Sequence, residues 1–365
     1  MSSKMRRASL VVLWLIFVFV LLQFAGFLFY SLDVSKPVSG YGYPAGLEQP
    51  HPTLGYHYQP NFSGFFKGSA YQHIPIRTNA QGFRDRDFAP LPNEGVRVAV
   101  LGDSVVFGSG VAAEERFTEC LNQMESPAGQ QARFLNLGVH AYSFGHYLTL
   151  AQEDFLGADP DAVLLGITLN DFAPMDGVGP ARRMRRHAEE LHKPTWIARV
   201  QERLGRTYAA RFLDEIDTRL RYALLNSNER EEYHTEWMRT VVDAWKQDAN
   251  RSRFTARLDD FSALAKEQSL PLAFVLFPEL NDLRDPETFD SPRQQVRDIL
   301  DARGLPYCDP YDDFAQAAQL DALFLAHDSV HYTPAGHQLL CQAIERCLTS
   351  GALQEFPQTT SIAIR

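Results

Sequence analysis

Five residues spread over the sequence carry the groups that acyl transfer requires. Ser104, Gly138 and Asn170 each lie at or just after the end of an apolar run, and Asp328 and His331 share one loop near the carboxyl terminus. Acyl transfer uses a nucleophilic oxygen, a base that takes its proton, a group that orients the base, and donors for the developing oxyanion. These residue types can supply all of those functions.

Each of the five residues has a predicted role in that chemistry. Ser104 is the predicted nucleophile, His331 the base, and Asp328 the group that orients the imidazole. The backbone N–H groups of Ser104 and Gly138, with the side-chain amide of Asn170, are predicted to form the oxyanion hole. Because Gly138 has no Cβ, its backbone could approach a substrate closely.

The elements that must position these residues alternate between strands and helices. An alternation of this kind is typical of a doubly wound α/β domain, in which chemistry gathers at the carboxyl ends of the parallel strands. Thr333 as N-cap and Pro334 at the first helical position predict the start of the last helix. The predicted strands cover 97–101, 132–138, 162–168, 272–277 and 305–309, and the predicted helices cover 113–124, 143–155, 254–267, 294–303 and 334–347.

Four short motifs occur in the following order along the chain: Gly102-Asp103-Ser104, Asn136-Leu137-Gly138, Asn170-Asp171 and Asp328-Ser329-Val330-His331. Together they resemble the SGNH (GDSL-like) hydrolases of the membrane-anchored bacterial type. The resemblance covers about residues 96–350 and departs from the family pattern at Thr168, where the third motif usually has glycine.

The resemblance implies a flavodoxin-like three-layer α/β/α sandwich around a central parallel sheet of about five strands. It also implies serine-dependent removal or transfer of acyl groups from lipids, acylated sugars, thioesters or polysaccharide esters, without a metal or an organic cofactor. Residues 79–84 are similar to the stretch that precedes this domain in membrane-anchored relatives near bacterial polysaccharide-modification systems. This similarity makes a membrane acyltransferase a candidate partner.

The amino terminus predicts a membrane anchor. Residues 10–30 form an uncharged run of 21 residues, and Lys4, Arg6 and Arg7 precede it. As a helix the run spans ~31 Å, close to the ~30 Å hydrocarbon core of a bilayer. The basic residues predict an N-terminus in the cytoplasm and an exported remainder, anchored in the inner membrane with a periplasmic domain. A cleaved signal peptide is the alternative, but its apolar region is usually only about 7–15 residues long.

The predicted organisation of the chain has five parts. An insertion of helices over 195–226 and 229–246 is predicted above the strand ends, and an edge strand is predicted over 74–79. The basic cluster 182–187 is expected to be a solvated helix face, with binding of an anionic polymer or lipid headgroups as the alternative. The parts are a cytoplasmic tail (1–9), a transmembrane anchor (10–30), an extracytoplasmic stalk (31–95), the α/β domain (96–350, with the insertion at about 172–250) and a C-terminal tail (351–365).

The net charge and the cysteines limit which partners and which disulfides the chain can have. The net charge of -10 argues against a nucleic-acid partner, since nucleic-acid binders usually present a basic face. Cys341 and Cys347 lie six positions apart on one predicted helix. A helix rises ~9 Å over that interval, beyond the ~7 Å that a disulfide can bridge. With Cys120 and Cys308 in separate elements, the sequence leaves open both the pairing and the presence of free thiols.

Three functional alternatives remain beside an esterase or deacetylase that acts on acylated envelope or exported glycans. The first is an O-acyltransferase that moves acetyl to a polysaccharide through an acyl-serine, because hydrolysis and transfer share the acyl-enzyme step. The second is an anchored polysaccharide-binding or scaffold protein. The third is a metal site in the cluster of His327, Asp328, His331 and His337, although this cluster lacks the Glu of His-Glu-x-x-His.

Overall fold

A computed structural model of the protein describes most of the chain, starting with one long helix. Helix α1 (Ser3–Ser31) contains the 20-residue stretch Ser9–Leu28, whose mean hydropathy is 2.7. Its length and composition are sufficient to cross a membrane. The residues described are 3–31, 42–44, 46–66, 71, 73–89, 94–123, 131–172, 207–209, 212–213, 216, 241–326, 328–353 and 356.

The segment predicted to be a stalk contains two small antiparallel sheets. Strand β1 (Glu48–His51) pairs with β2 (Gly55–Tyr58), and β3 (Ser63–Phe65) pairs with β4 (Pro75–Arg77). The edge strand predicted over 74–79 is therefore shorter and belongs to a separate sheet. Residues 42–89, hereafter the N-terminal segment, bury aromatic side chains in the same apolar cluster as the main sheet.

Five parallel strands form the central sheet and confirm the predicted α/β architecture. Their order is β6-β5-β7-β8-β9, so the chain starts in the sheet interior and reverses direction after β6. The switch point lies between β5 and β7, where open sheets of this kind form their binding crevice. The strands are β5 (Glu94–Gly102), β6 (Gln131–Gly138), β7 (Ala162–Ile167), β8 (Leu272–Leu276) and β9 (Tyr307–Cys308).

The helices follow the predicted order but differ at several ends. The predicted helix 113–124 is split at Arg116, whose extended backbone (φ -75°, ψ 151°) separates a 3₁₀ turn at Ala113–Glu115 from α3. Helix α4 ends before the residues Asp154, Phe155 and Leu156, which have positive φ values of 50–52°. The helices are α2 (Ser104–Phe107), α3 (Phe117–Leu121), α4 (Phe144–Gln152), α5 (Asp248–Glu267), α6 (Leu280–Arg284), α7 (Pro286–Asp301), α8 (Tyr311–Ala315) and α9 (Pro334–Ser350).

Helix α7 begins earlier than predicted, and α9 begins where predicted. The Asp285 side chain accepts a hydrogen bond from the Thr288 N–H (3.3 Å) and so starts α7 at Pro286 rather than near residue 294. Thr333 is the N-cap of α9, and its hydroxyl accepts from the Gly336 N–H (3.3 Å). The start of α9 could be predicted because its capping residue Thr333 and Pro334 are adjacent in sequence.

The predicted helical insertion is described only in part. Residues 208–209, 212–213, 216 and 241–245 are helical, in agreement with the predicted helices at those positions. The Ala209 N–H donates to Oε1 of Gln23 on α1 (3.3 Å). The basic cluster 182–187 and the remaining parts of the insertion lie outside the described residues.

Two disulfides connect α9 to the rest of the domain. Cys341 pairs with Cys120 of α3, and Cys347 pairs with Cys308 of β9, with Cα–Cα distances of 6.2 and 5.8 Å. All four cysteines are therefore bonded, and the exclusion of a Cys341–Cys347 bridge agrees with this pairing. Both bonds fix the helix that follows the loop of Asp328 and His331.

Candidate active site

Ser104 lies at the sharp turn between β5 and α2. Its neighbour Asp103 is the N-cap of α2, and Oδ1 of Asp103 accepts from the Val105 N–H (2.9 Å). A Cβ on Gly102 would lie 2.2 Å from the Val106 side chain, so the turn requires glycine there. The turn places the half-buried Ser104 side chain at the carboxyl edge of the sheet.

The structure brings His331, 227 residues away in sequence, and its neighbour Asp328 to this serine. Nε2 of His331 lies 2.7 Å from Oγ of Ser104, and Nδ1 of His331 lies 2.8 Å from Oδ2 of Asp328. Oδ1 of Asp328 accepts from the backbone N–H groups of Val330 (2.9 Å) and His331 (3.0 Å). These bonds hold the loop so that the carboxylate, the imidazole and the hydroxyl form one chain of contacts.

The charges in this chain of contacts favour an ionised Asp328 beside His331. Burial opposes the carboxylate, but the His331 charge and three hydrogen bonds outweigh it and lower the pKa of Asp328. Burial likewise opposes the imidazolium, but the Asp328 charge outweighs it and raises the pKa of His331 above its ordinary value. His331 is therefore a stronger base than an isolated histidine, as a proton acceptor for Ser104 should be.

Asn170 reaches the same edge from the 3₁₀ turn Leu169–Phe172 that follows β7. Its Oδ1 accepts from the Thr168 hydroxyl (3.0 Å), and its amide opposes the effect of burial on the pKa of Asp103. The amide nitrogen carries two N–H donors. Thr168, the departure from the family pattern, thus supplies a hydroxyl that orients Asn170.

Buried carboxyls lie beneath this edge. Burial raises the pKa of Asp103, and burial together with the Asp103 charge raises the pKa of Asp171 well above its ordinary value. Asp171 Oδ2 accepts from the Thr168 N–H (2.9 Å), and its Oδ1 accepts from the Tyr147 hydroxyl (2.8 Å). Asp171, the second residue of the Asn170-Asp171 motif, therefore holds the start of the turn that carries Asn170.

The peptide groups of Leu169 are held on both sides by residues that the sequence analysis did not select. Oε1 of Glu279 accepts from the Leu169 N–H (2.9 Å), and Nε1 of Trp245 donates to the Leu169 carbonyl (3.2 Å). Glu279 is fully buried, which raises its pKa to about 8. The one sequence signal is that Glu279 follows the end of β8, at the same edge of the sheet.

Gly138 occupies the predicted place at the end of β6, but its N–H is already engaged. It donates to Oδ1 of Asn136 (3.1 Å). A Cβ at position 138 would lie 2.2 Å from the Phe107 backbone N, so the glycine allows α2 to pack against β6. The sequence analysis explained the glycine by close approach of its backbone to a substrate. In the structure the glycine allows close approach of α2. Three residues further on, exposed Ala141 adopts a left-handed φ of 57°.

The histidines of the metal alternative do not form one cluster in the part of the chain that is described. His337 is buried, stacks on Phe117 and accepts from the Phe117 N–H through Nδ1 (3.4 Å). Burial lowers the pKa of His337 to about 3. His327 lies outside the described residues, and among those described no group of three or more metal-ligating side chains occurs.

Comparisons with known proteins were made for the sequence and for the fold. The chain is similar in structure to a lipase/acylhydrolase from Enterococcus faecalis (12% identity, TM-score 0.41, covering 69% of this chain and 95% of that chain). It is also similar to a catalytic mutant of an acetylxylan esterase from Geobacillus stearothermophilus (17%, TM-score 0.39, 69% and 94%). No curated protein matches the sequence. The model of the GDSL-like Lipase/Acylhydrolase family matches residues 100–339, and the chain therefore belongs to that family.

Proposed function

We propose that this protein is a serine-dependent acyl-ester hydrolase, with Ser104 as nucleophile, His331 as general base and Asp328 as the residue that orients the base. The observation that carries the proposal is the pair of contacts of one imidazole, 2.7 Å to the Ser104 hydroxyl and 2.8 Å to the Asp328 carboxylate. A nucleophile, a base and an orienting group at hydrogen-bond distance are the signature of an activated serine.

The reaction proceeds through an acyl-serine. Nε2 of His331 takes the Ser104 proton while Oγ bonds to the acyl carbon, and the carbonyl oxygen becomes an oxyanion. His331 then gives this proton to the leaving alcohol as the ester bond breaks. The same nitrogen takes a proton from water as the water oxygen bonds to the acyl carbon, and it returns this proton to Oγ of Ser104 as the acyl–serine bond breaks and the acid leaves. Asp328 stays ionised throughout and stabilises the imidazolium.

The oxyanion is stabilised by donors at the strand ends. The Ser104 N–H belongs to the first turn of α2 and has no acceptor within the helix. An N–H of the Asn170 amide is the other donor, and each such donor is worth about 10²–10³ in rate. The Gly138 N–H can bind the oxyanion only if it breaks its hydrogen bond to Oδ1 of Asn136 (3.1 Å).

The proposed location is the outer face of the cytoplasmic membrane, with residues 10–30 as the anchor and residues 96–350 as the catalytic domain. Two features support this location. Helix α1 is long and apolar enough to span a bilayer, and the domain contains two disulfides, which form in oxidising compartments. Acylated envelope or exported glycans are the proposed substrates, since a tethered enzyme meets them there.

Hydrolysis of p-nitrophenyl acetate by the purified full-length protein tests the activity. We expect turnover that Ser104→Ala abolishes and that Ser262→Ala leaves unchanged, because the Ser262 hydroxyl on α5 has no hydrogen-bond partner among the described residues. Equal turnover by Ser104→Ala and the wild type would refute the proposal. Adding oligosaccharide acceptors separates transfer from hydrolysis, since faster turnover with an acetylated product would show transfer.

A further inference from the structure

Helix α2 is too short to satisfy its own carbonyl groups. It has four residues, and its turn closes through the N–H groups of Gly108, which donates to Val105 O (3.1 Å), and of Ser109, which donates to Ser104 O (3.0 Å). Of the next carbonyls, that of Gly108 accepts from the Val111 N–H (3.4 Å), whereas those of Val106 and Phe107 accept no backbone N–H of the turn. Buried carbonyls without a partner destabilise a fold, so other parts of the chain must supply their donors.

Arg84 of the N-terminal segment supplies most of these donors. Its Nη1 donates to the carbonyls of Phe107 (3.2 Å) and Gly108 (2.7 Å), and its Nη2 donates to Val111 O (2.9 Å) and Pro75 O (3.1 Å). One guanidinium therefore binds three carbonyls of residues 104–111, hereafter the nucleophile turn. The Pro75 contact ties the same group back to β4.

The Arg84 charge is directed at the backbone instead of a carboxylate. The side chain is 1% exposed and lies 5.0 Å from the centre of the Phe107 ring and 5.2 Å from that of Phe66. Among the described residues no acidic side chain forms an ion pair with it. A cation at the C-terminal end of a helix stabilises the helix dipole, and charged donors make the stronger hydrogen bonds.

Arg84 is itself held in a rigid loop of the N-terminal segment. Oδ1 of Asn79 accepts from the N–H groups of Gln81 (3.1 Å) and Phe83 (2.9 Å), and Gly82 has a φ of 88° that favours glycine. Phe83 is fully buried. The loop therefore holds the backbone from which the guanidinium extends to the nucleophile turn.

The residue after Arg84 supports the remaining carbonyl. Oδ2 of Asp85 accepts from the Asn136 N–H in β6 (2.7 Å), and Nδ2 of Asn136 donates to the Val106 carbonyl (2.6 Å). Arg84 directly and Asp85 through Asn136 thus support the carbonyls of residues 106–108 in the nucleophile turn. The N-terminal segment touches the turn at its C-terminal end, opposite the Ser104 hydroxyl.

We infer that Arg84 is a positioning residue for Ser104, and that the N-terminal segment is a working part of the active site. The inference rests on the proposed role of Ser104. Without the guanidinium, the Phe107 and Val111 carbonyls lose their Arg84 donor, the Gly108 carbonyl keeps only the Val111 N–H (3.4 Å), and α2 can shift relative to the His331 loop. A displacement of about 1 Å at a reacting group can lower the rate by about 10²-fold.

Kinetics of Arg84 variants of the full-length protein test this role. We expect Arg84→Lys and Arg84→Ala to lower kcat for p-nitrophenyl acetate by about 10²-fold with KM nearly unchanged, because the loss concerns the reacting geometry and not binding. Added ethylguanidinium should restore part of the kcat of Arg84→Ala, since the vacated site fits a guanidinium. It should have no such effect on the wild type.

Arg97 provides a matched control. It is also buried and donates to backbone carbonyls, those of Phe88 (2.7 Å), Ala158 (2.7 Å) and Asp159 (3.0 Å), but it lies on β5 near the opposite end of the sheet. Arg97→Ala should lower the melting temperature and leave the kcat of the folded protein unchanged. Folded protein is quantified by circular dichroism for every variant.

Three results would overturn the inference. They are an undiminished kcat in folded Arg84→Lys, an equal loss of kcat in Arg97→Ala, and Arg84→Lys that fails to fold, which would make the residue structural only. A wild type without Ser104-dependent turnover would instead refute the proposed function. The two failures are therefore distinguishable.

Discussion

Replacing Asp328 by asparagine separates the orienting role of the carboxylate from the shape of the loop. Asp328 accepts from His331 Nδ1 (2.8 Å) and from the N–H groups of Val330 (2.9 Å) and His331 (3.0 Å). In Asp328→Asn the amide oxygen can keep the two backbone bonds. The amide NH₂ then faces Nδ1, which favours the imidazole tautomer with its proton on Nε2.

That tautomer cannot accept the Ser104 proton. Loss of the correct tautomer in a serine triad costs about 10⁴ in kcat, which corresponds to ~5.4 kcal/mol of transition-state stabilisation. Because Nε2 lies 2.7 Å from Oγ, we attribute this loss of rate to the proton transfer from Ser104 to His331. We therefore expect a plateau rate about 10⁴-fold below that of the wild type, with a folded protein.

The pH dependence of kcat/KM gives a second, independent test of the role of Asp328. The base must be neutral, so kcat/KM falls as pH decreases through the pKa of His331. In the wild type the Asp328 charge outweighs burial and raises that pKa, so the midpoint of the acid limb should lie above the ordinary histidine value. Asp328→Asn removes the charge and leaves burial, which lowers the pKa of His331. The midpoint should move to lower pH.

Hydrolysis of p-nitrophenyl acetate between acidic and neutral pH measures both quantities. Asp321→Asn is the matched control, because Asp321 is 73% exposed and pairs with Arg284 and not with a histidine. It should retain the wild-type profile. An Asp328→Asn plateau within about tenfold of the wild type, or an unmoved acid limb, would refute the reasoning.

Further predictions follow from the same geometry. Ser104→Ala and His331→Ala should each lower kcat by about 10⁴–10⁶, and the double variant should be scarcely slower, since the residues act as a unit; single-turnover kinetics measure this. Asn170→Ala should lower kcat by about 10²–10³ with an unchanged melting temperature. Replacing Cys120 and Cys341 by alanine should lower the free energy of unfolding by about 5 kcal/mol in a urea titration, because their disulfide closes a loop of 221 residues.

The sheet and the three residues of the contact chain could be predicted because their signals are local. Apolar runs define the strands, and Ser104, Asp328 and His331 each follow a turn or strand end. The parallel arrangement then brings these ends to one edge. The strand order β6-β5-β7-β8-β9 completes the prediction by placing the switch point beside Ser104.

The supporting contacts could not be predicted because they join residues that are far apart in sequence. Arg84 reaches the carbonyls of Phe107 and Gly108, and Glu279 reaches the Leu169 N–H, 110 residues away. No local sequence pattern indicates which group a buried arginine or glutamate will bond. Both residues are charged, so composition alone would place them at the surface.

The hydrogen bond of Gly138 shows a second limit. The glycine ends a strand, as an oxyanion donor would, but its N–H donates to Asn136 only two residues earlier. The side-chain rotamer that makes this contact depends on the Val106 carbonyl and the Thr118 hydroxyl, to which the Asn136 amide donates. Tertiary packing therefore decides which backbone donors remain available at the strand ends.

The most direct test of the proposed nucleophile is the site of covalent modification by a fluorophosphonate. The full-length folded protein is treated with the probe, digested, and analysed by mass spectrometry. We predict an adduct on Ser104 that forms in the wild type and is lost in His331→Ala. A folded wild type that remains unmodified, or an adduct on another serine, would contradict the account.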